Sequence, residues 1–157
     1  MTARPAVLFV CMGNICRSPL AEAAFRQAAG AAGLEVVVDS AGTGNWHAGS
    51  PPDRRARAVA RQHGIDMGRY RARVVAPADF TRFTHIIALD HANLAHLRAM
   101  RPEGARAELS LLLDHVPGRQ GEAVADPYYG DASGFETTWR DVSAGAQALV
   151  RRLQARP

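Results

Sequence analysis

The alternation of short apolar runs with helical patterns is the feature of this sequence that most constrains its fold. The apolar runs occupy residues 6–10, 35–40 and 84–90, and a helical pattern follows each of them. Strands that are apolar throughout are buried on both faces, and right-handed crossovers place helices on both sides of such a parallel sheet. The pattern therefore predicts a single-domain α/β fold, a four-stranded parallel sheet with helices on both faces.

Capping signals locate the predicted helices, which span residues 19–33, 50–64, 91–100 and 133–154. Ser18 is a good N-cap for the first helix, and Gly64 is a good end for the second. Ser133 and Glu136 have capping-box spacing at the start of the long amphipathic last helix. Residues 108–113 fit either a fourth strand or a short buried helix, and the pattern does not decide between them.

Length and cysteine content limit the class of protein. A chain of 157 residues, 47% of them hydrophobic, suits one domain with a substantial core. The apolar run at residues 6–10 is too short for a signal peptide or a membrane span, so we predict a cytoplasmic protein without membrane contact. Two cysteines, Cys11 and Cys16, are too few for a disulfide framework or a four-cysteine zinc site.

The charge of the chain is positive, and arginine supplies all of the permanent side-chain cations. The net charge is +4 with 19 arginines and no lysine. A bias of genome composition accounts for this choice of cation, and the alternative is that the excess charge helps to recruit an acidic or phosphorylated partner. Basic residues are not interleaved with aromatic ones, so we expect no nucleic-acid binding. The arginines of residues 54–73 form either a docking face or an ordinary solvated face.

The stretch VCMGNICRSP, residues 10–19, has the properties of a phosphate-binding loop after the first strand. Such a loop wraps backbone N–H groups around an anion, and the following helix N-terminus adds a positive potential. Gly13 permits close approach of the backbone, and Asn14 tolerates the left-handed conformation that the curl requires. Arg17 offers a planar fork for two phosphate oxygens, and this field favours the thiolate form of Cys11, the predicted nucleophile.

Ser18 has two compatible interpretations in this loop. Besides capping the helix, its hydroxyl group can donate to the Cys11 thiolate and help it to leave in a second step. The alternative for the whole stretch is an ordinary strand-to-helix turn with a buried cysteine. The preceding strand, the Gly-Asn pair and the Ser-Pro pair argue against that alternative.

The loop resembles the signature loop of the low-molecular-weight protein tyrosine phosphatases. Similar segments follow in the family's order at residues 39–49, 63–65 and 125–136, the last of which reads ADPYYGDASGFE. The resemblance covers essentially the full length, and the combination of the cysteine loop with the Asp-Pro-Tyr segment is specific. It implies one phosphatase domain over residues 1–157.

The resemblance also implies a two-step mechanism. Asp126 matches the family's general acid, a role typically worth a factor of about 10² to 10⁴ in rate. Cys11 would attack phosphorus while Asp126 protonates the leaving phenol, and Asp126 would then activate water to hydrolyse the cysteinyl-phosphate. Arg17 and the loop N–H groups would hold the phosphate oxygens, so no metal or cofactor is required. The alternative for the Asp126 segment alone is an ordinary turn.

Further residues are expected around the substrate. The resemblance places Tyr128 and Tyr129 on one wall of a cleft and Trp46 on the opposite rim, with partial core burial as the alternative for Trp46. Ser40 is expected to support the loop. The other residues expected to bind phosphate or substrate are Met12, Gly13, Asn14, Ile15, Cys16 and Ser18.

Two positions carry open questions. The resemblance implies that Cys16 forms a disulfide with Cys11 under peroxide and so protects the nucleophile, the alternative being a small packing residue. Tyr70 stands where the family often has a histidine that tethers the loop through Asn14. A tyrosine hydroxyl can also form hydrogen bonds, so the sequence leaves the tether open.

Three other functions fit parts of this pattern. Thiol-dependent arsenate reduction needs further cysteines, and none follows Cys16. Phosphoarginine phosphatases usually carry threonine where this chain has Ile15, which favours a flat phenyl ring. A phosphate-binding module without activity would need neither a thiolate nor an acid. The predicted partner is a phosphotyrosine protein, with a bacterial tyrosine kinase as one candidate, and inorganic phosphate is the product.

Overall fold

Strand β1 (Ala6–Cys11) lies inside the sheet, between β2 (Val37–Gly42) and β3 (His85–Ala88). In the computed structural model, which describes residues 4–155, β4 (Glu108–Leu111) pairs with β3 and completes a four-stranded sheet in the order β2-β1-β3-β4. All three pairings are parallel. The predicted α/β fold with a four-stranded parallel sheet is therefore confirmed.

Within residues 4–155, five α-helices accompany the sheet: α1 (Arg17–Ala31), α2 (Arg54–Gln62), α3 (Asp79–Arg82), α4 (His91–Met100) and α5 (Ala132–Ala155). Alternate residues of β1 face opposite sides of the sheet, as its pleat requires. Val7 and Phe9 pack into one core cluster with α1, α2 and α5. Leu8 and Val10 pack into the other cluster, with residues of α3 and α4. Helices therefore cover both faces, as predicted.

The start of α1 differs from the prediction. The helix begins at Arg17 and its N-cap residue is Cys16, which makes no side-chain capping bond. Ser18 therefore lies inside the helix, and its prediction as N-cap is wrong. The physical reason is a tertiary contact, because the Ser18 hydroxyl group is within hydrogen-bond distance of Cys11 Sγ.

The second predicted helix starts later than residue 50. Helix α2 begins at Arg54, after the N-cap Asp53, whose side chain accepts a hydrogen bond from the backbone N–H of Arg55. Pro51 and Pro52 precede this cap, and a residue before proline is disfavoured in the helical conformation. The proline pair thus delays the helix until Asp53 can cap it.

The boundaries of two other elements also differ from the prediction by a few residues. Helix α5 begins at Ala132, and Asp131 accepts the N–H of Ser133, so the predicted Ser133–Glu136 capping box is wrong. Residues 108–113 contain both alternatives, because β4 is followed directly by a 3₁₀ helix, Leu112–His115.

The described part of the chain, residues 4–155, contains no helix that is both long and apolar enough to cross a membrane.

Candidate active site

A cleft of about 380 Å³ opens at the carboxyl end of β1, where ligands bind in open parallel sheets. Cys11, Arg17 and Asp126 all line it, although Asp126 is distant from the other two in sequence. The remaining lining residues are Met12, Gly13, Ile15, Cys16, Trp46, His47, Tyr128 and Tyr129. The volume is within the usual range for small-molecule sites.

Cys11 is the last residue of β1 and is 3% exposed. Its Sγ lies 3.0 Å from Ser18 Oγ and accepts a second hydrogen bond from the Ser18 backbone N–H at 3.4 Å. Because Ser18 belongs to the first turn of α1, the sulfur lies at the positive end of that helix. The Ser18 hydroxyl, the Ser18 N–H and the N-terminus of α1 therefore all lie beside the sulfur.

The loop between Cys11 and α1 curls through a left-handed residue, Asn14, with φ of 58°. The backbone N–H groups of residues 13–16 donate no hydrogen bond to any other group of the described chain. Donors arranged in such a curl form a concavity that binds anions. The loop therefore has the properties of a phosphate site.

A buried network of polar side chains supports the loop from behind. Asn14 Nδ2 donates to Ser18 Oγ at 2.8 Å and to Ser40 Oγ at 3.0 Å, while its Oδ1 accepts the backbone N–H of Arg73 at 3.0 Å. Ser40 Oγ in turn donates to Glu22 Oε1 at 2.8 Å. The structure thus places Asn14, Ser18 and Ser40 beneath the loop, outside the cleft lining.

The hydrogen bonds of this network run in one direction. A carboxylate only accepts, so Ser40 donates to Glu22 and accepts from Asn14. Ser18 also accepts from Asn14, so its own proton is shared between the two acceptors within reach, the Cys11 sulfur at 3.0 Å and the Ala41 carbonyl at 3.5 Å. The sulfur is the nearer acceptor, and the network thus leaves the Ser18 hydroxyl able to donate to it.

Tyr70 is not needed for this tether, which runs from Asn14 to Ser40 and the Arg73 backbone. Burial raises the pKa of Glu22, while the Ser40 hydrogen bond and the Arg26 ion pair at 2.8 Å oppose that rise. Burial and the nearby Glu22 raise the pKa of Tyr70 to about 12, so its hydroxyl is neutral.

Arg17 is 3% exposed, and its guanidinium is fixed by groups from two other regions. Its Nη1 lies 2.7 Å from Asp90 Oδ2 and donates to the Val124 carbonyl at 3.0 Å. Its Nη2 lies 3.7 Å from Asp126 Oδ2. Asp90 was missed by sequence analysis, although its position directly beyond an apolar strand and before a helix was an available signal.

The segment around Asp126 is much more exposed than the loop. The Asp126 side chain retains 35% of its accessible surface, and its Oδ1 accepts the Tyr128 N–H at 3.1 Å. Tyr128 is half-buried and meets Tyr129 edge to face, with 4.9 Å between ring centroids. Tyr129 is 92% exposed.

Trp46 lines the cleft and is 70% exposed, so the alternative of partial core burial is wrong. Its ring lies directly on Gly44, where any Cβ atom would overlap it. His47, which sequence analysis missed, also lines the cleft, with its ring centroid 6.2 Å from that of Tyr128. The only sequence signal for His47 was its position next to Trp46.

Cys16 lies in the cleft wall as a free thiol and is 4% exposed. Burial, followed by the nearby Asp53 carboxylate, raises the pKa of this thiol well above its ordinary range. Ile15 is also largely buried, whereas Met12 is 45% exposed. Within residues 4–155, no three His, Cys, Asp or Glu side chains are grouped as metal ligands.

This arrangement defines an α/β protein with an anion site at the carboxyl end of an inner strand. The model of the family described as low molecular weight phosphotyrosine protein phosphatase matches residues 6–156. The chain belongs to this family, and the enzyme class predicted from the resemblance, a low-molecular-weight protein tyrosine phosphatase, is confirmed.

Individual relatives cover nearly the whole chain. The low molecular weight phosphotyrosine protein phosphatase of Schizosaccharomyces pombe is 44% identical over 138 residues, which are 86% of this chain and 88% of the relative. The crystal structure of YfkJ from Bacillus subtilis has a TM-score of 0.90 at 39% identity, covering 98% of this chain and 96% of YfkJ. DARP, a Drosophila arginine phosphatase, has a TM-score of 0.90 at 29% identity and covers 96% of this chain and 99% of its own.

Proposed function

We propose that the chain, as one catalytic domain, hydrolyses phosphotyrosine in proteins through a cysteinyl-phosphate intermediate. The observation that carries this proposal is the presence of Cys11, Arg17 and Asp126 in one cleft, with Asp126 Oδ2 3.7 Å from Arg17 Nη2. A thiolate, a phosphate-binding guanidinium and a carboxylic acid are the groups that a two-step phosphate transfer requires.

In the first step, Cys11 Sγ attacks phosphorus while the P–O bond to the tyrosine ring breaks. Asp126 donates its proton to the leaving phenolate, so that tyrosine departs as a neutral phenol. The N–H groups of residues 13–16 and the Arg17 guanidinium hold the phosphate oxygens. Asp90 fixes Arg17 for this purpose through the 2.7 Å ion pair.

In the second step, the Asp126 carboxylate removes a proton from water, and the oxygen of that water attacks the phosphorus. The P–S bond breaks, phosphate leaves, and Cys11 departs as a thiolate. Ser18 stabilises the departing thiolate, because its hydroxyl lies 3.0 Å from Sγ. Asp126 is thereby protonated again for the next cycle.

The cleft walls favour an aromatic phosphate ester. Trp46, Tyr128 and Tyr129 provide ring faces on both sides of the entrance, and aromatic rings pack well against a phenyl group. Ile15 adds an apolar side chain at the loop. We therefore propose phosphotyrosine proteins, tyrosine kinases among them, as substrates in a reducing cytoplasm.

The test is hydrolysis of para-nitrophenyl phosphate without added metal by wild type, Cys11→Ser and Asp126→Ala. We expect Cys11→Ser to abolish turnover and Asp126→Ala to lower it by about 10² to 10⁴. Cys16→Ser is the matched control, because it makes the same thiol-to-hydroxyl change in the cleft wall and keeps the Cys16 backbone N–H that the proposal assigns to phosphate. A peptide series carrying phosphotyrosine, phosphoserine or phosphoarginine then measures substrate class.

A Cys11→Ser variant that keeps the activity of wild type would overturn the proposal that Cys11 is the nucleophile. Faster hydrolysis of the phosphoarginine peptide would overturn the proposed substrate class and favour the activity named for the Drosophila relative. Tight phosphate binding by wild type without turnover would instead favour a binding module.

We also propose a protective disulfide between Cys11 and Cys16. Hydrogen peroxide would transfer one oxygen to the Cys11 sulfur, which gives a sulfenic acid and water. The Cys16 sulfur would then attack the sulfenic sulfur, the S–O bond would break, and the hydroxide would leave with the Cys16 thiol proton as a second water. We expect dithiothreitol to restore most of the activity of peroxide-treated wild type. The same treatment should restore a much smaller fraction of the activity of peroxide-treated Cys16→Ser. Equal recovery of both proteins would contradict the proposal.

A further inference from the structure

Arg55, in the first turn of α2, bonds directly to the segment that carries the proposed acid. We call residues 126–130 the acid segment. Arg55 Nη2 donates to the carbonyl oxygen of Tyr128 at 2.9 Å, and Nη1 donates to that of Gly130 at 3.1 Å. Both acceptors are backbone atoms, so Arg55 fixes the course of the chain just after Asp126.

The guanidinium of Arg55 is itself held in place from two sides. Asp53 accepts a hydrogen bond from Nε on one oxygen and from Nη2 on the other, both at 3.1 Å. This paired geometry restrains a guanidinium more strongly than a single contact does. The group also lies 4.6 Å from the ring centroid of Phe135, which is fully buried. A ring beneath the group and a carboxylate beside it set its orientation.

The same short span is bonded to the phosphate loop. The backbone N–H of Asp53 donates to the Ile15 carbonyl at 2.8 Å. Residues 53–55 therefore contact the loop through Asp53 and the acid segment through Arg55. This span thus connects the predicted nucleophile and the predicted acid, which are far apart in sequence.

Few other polar contacts hold the acid segment. Within residues 4–155, the hydrogen bonds that it receives from outside itself are the two from Arg55, and its ion pair is the 3.7 Å contact between Asp126 and Arg17. Removing Arg55 therefore leaves the segment without a hydrogen bond from the rest of the described chain, held by the Arg17 contact and by the apolar packing of Pro127 and Tyr128.

We propose that Arg55 is a positioning residue that holds the Asp126 carboxyl at the leaving-group oxygen. The inference rests on the proposed function, because it assigns Arg55 a role only through the acid step. Its effect must therefore grow with the need for acid catalysis, which is small for an acidic nitrophenol and large for an unsubstituted phenol.

The experiment measures kcat/KM of wild type, Arg55→Met and Asp126→Asn on 2,4-dinitrophenyl, para-nitrophenyl and phenyl phosphate. Methionine keeps an apolar stem over Phe135 and removes the fork. Arg54→Met is the matched control, since it removes the same charge from the adjacent exposed residue. A partly unfolded fraction lowers kcat/KM by the same factor for all three substrates. The ratio of kcat/KM between substrates therefore isolates the acid step.

For Arg55→Met we expect a loss of about tenfold or more on phenyl phosphate and less than about threefold on the dinitrophenyl ester. Arg54→Met is expected to keep the wild-type ratio, and Arg55→Lys to recover only part of it because lysine lacks the fork. In the Asp126→Asn background, Arg55→Met is expected to add little further loss, as for two residues that act through one group.

A uniform loss across the three esters, or fully additive losses in the double variant, would overturn the role of Arg55 while leaving the proposed function intact. A wild type that releases no phenol from any ester, or a Cys11→Ser variant that still does, would instead overturn the proposed function and this inference with it.

Discussion

The phosphate loop, residues 11–18, and the acid segment face each other across one cleft but are built in opposite ways. The loop is backed by buried side chains that bond to one another, from Asn14 through Ser40 to Glu22. The acid segment is largely exposed and is held through its backbone carbonyls by Arg55. The difference fits the two tasks of the proposed mechanism, in which the loop holds the phosphoryl oxygens through both steps whereas the acid exchanges protons with the leaving group and with water.

This contrast has an energetic consequence. Breaking a buried hydrogen bond leaves unsatisfied polar groups and costs folding free energy, whereas exposed groups regain water. Changes behind the phosphate loop should therefore reduce stability and activity together. Changes in the acid segment should reduce activity with a smaller loss of stability.

The largest effect is expected from Asn14→Ala. The variant loses three hydrogen bonds of about 0.5–1.5 kcal/mol each and places alanine in a left-handed conformation that costs about 1 kcal/mol or more. We expect the free energy of unfolding to fall by about 3 kcal/mol and kcat/KM by about 100-fold, since misplacing reacting groups by about 1 Å has that effect. Urea unfolding and para-nitrophenyl phosphate kinetics measure both. Asn14→Gly separates the two causes, and wild-type stability in that variant would contradict the role of the network.

A smaller effect is expected from Asp90→Asn, which removes the carboxylate beside Arg17. Asp90 is partly exposed, so we expect inhibition by inorganic phosphate to weaken by about tenfold, with the leaving-group dependence unchanged. Asp141→Asn is the control, because Asp141 pairs with Arg119 outside the cleft lining. Equal inhibition constants for Asp90→Asn and wild type would show that the loop alone orders Arg17.

On the acid side, Tyr128→Ala removes a wall but keeps the carbonyl that Arg55 binds. Loss of ring packing worth about 0.5–1.5 kcal/mol should raise KM for aryl phosphates by about twofold to tenfold. We expect inhibition by inorganic phosphate to stay unchanged and the free energy of unfolding to fall by about 1 kcal/mol, less than for Asn14→Ala, because Tyr128 is only half-buried against the core. A matching loss of phosphate inhibition would contradict the separation of the two regions. Tyr129→Ala provides the comparison for a ring that is almost fully exposed.

The smallest effect is a pH dependence from Glu22, whose pKa is raised in the folded protein by burial. A carboxyl group with a raised folded pKa binds more protons in the folded state, so its contribution to stability is full at low pH and declines as pH rises. Relative to Glu22→Gln, wild type should therefore lose stability as the pH rises above about 4, the ordinary pKa of a carboxyl group. Urea unfolding of both proteins at a series of pH values measures this change. A wild type that instead gained stability relative to Glu22→Gln as the pH rises would contradict the burial of this carboxyl.

The sequence indicates those parts of the site that depend on local pattern. The alternation of apolar runs predicts the sheet, and the spacing of Cys11, Gly13, Asn14 and Arg17 predicts an anion loop. Asp90, Glu22 and Arg55 act through partners distant in sequence, and no local pattern encodes such pairs. Ser18 illustrates the same limit, because its local propensity to cap a helix is overridden by its contact with Cys11.

Cys11 belongs to an inner strand that is flanked on both sides, and this has a consequence for the order of folding. Its neighbour β3 and the groups that fix Arg17, at Asp90 and Val124, are synthesised long after the cysteine itself. Parallel strands pair only after their crossovers close, which makes such contacts late. A nascent chain therefore carries an ordinary thiol, and a complete phosphate site exists only once nearly the whole chain has folded.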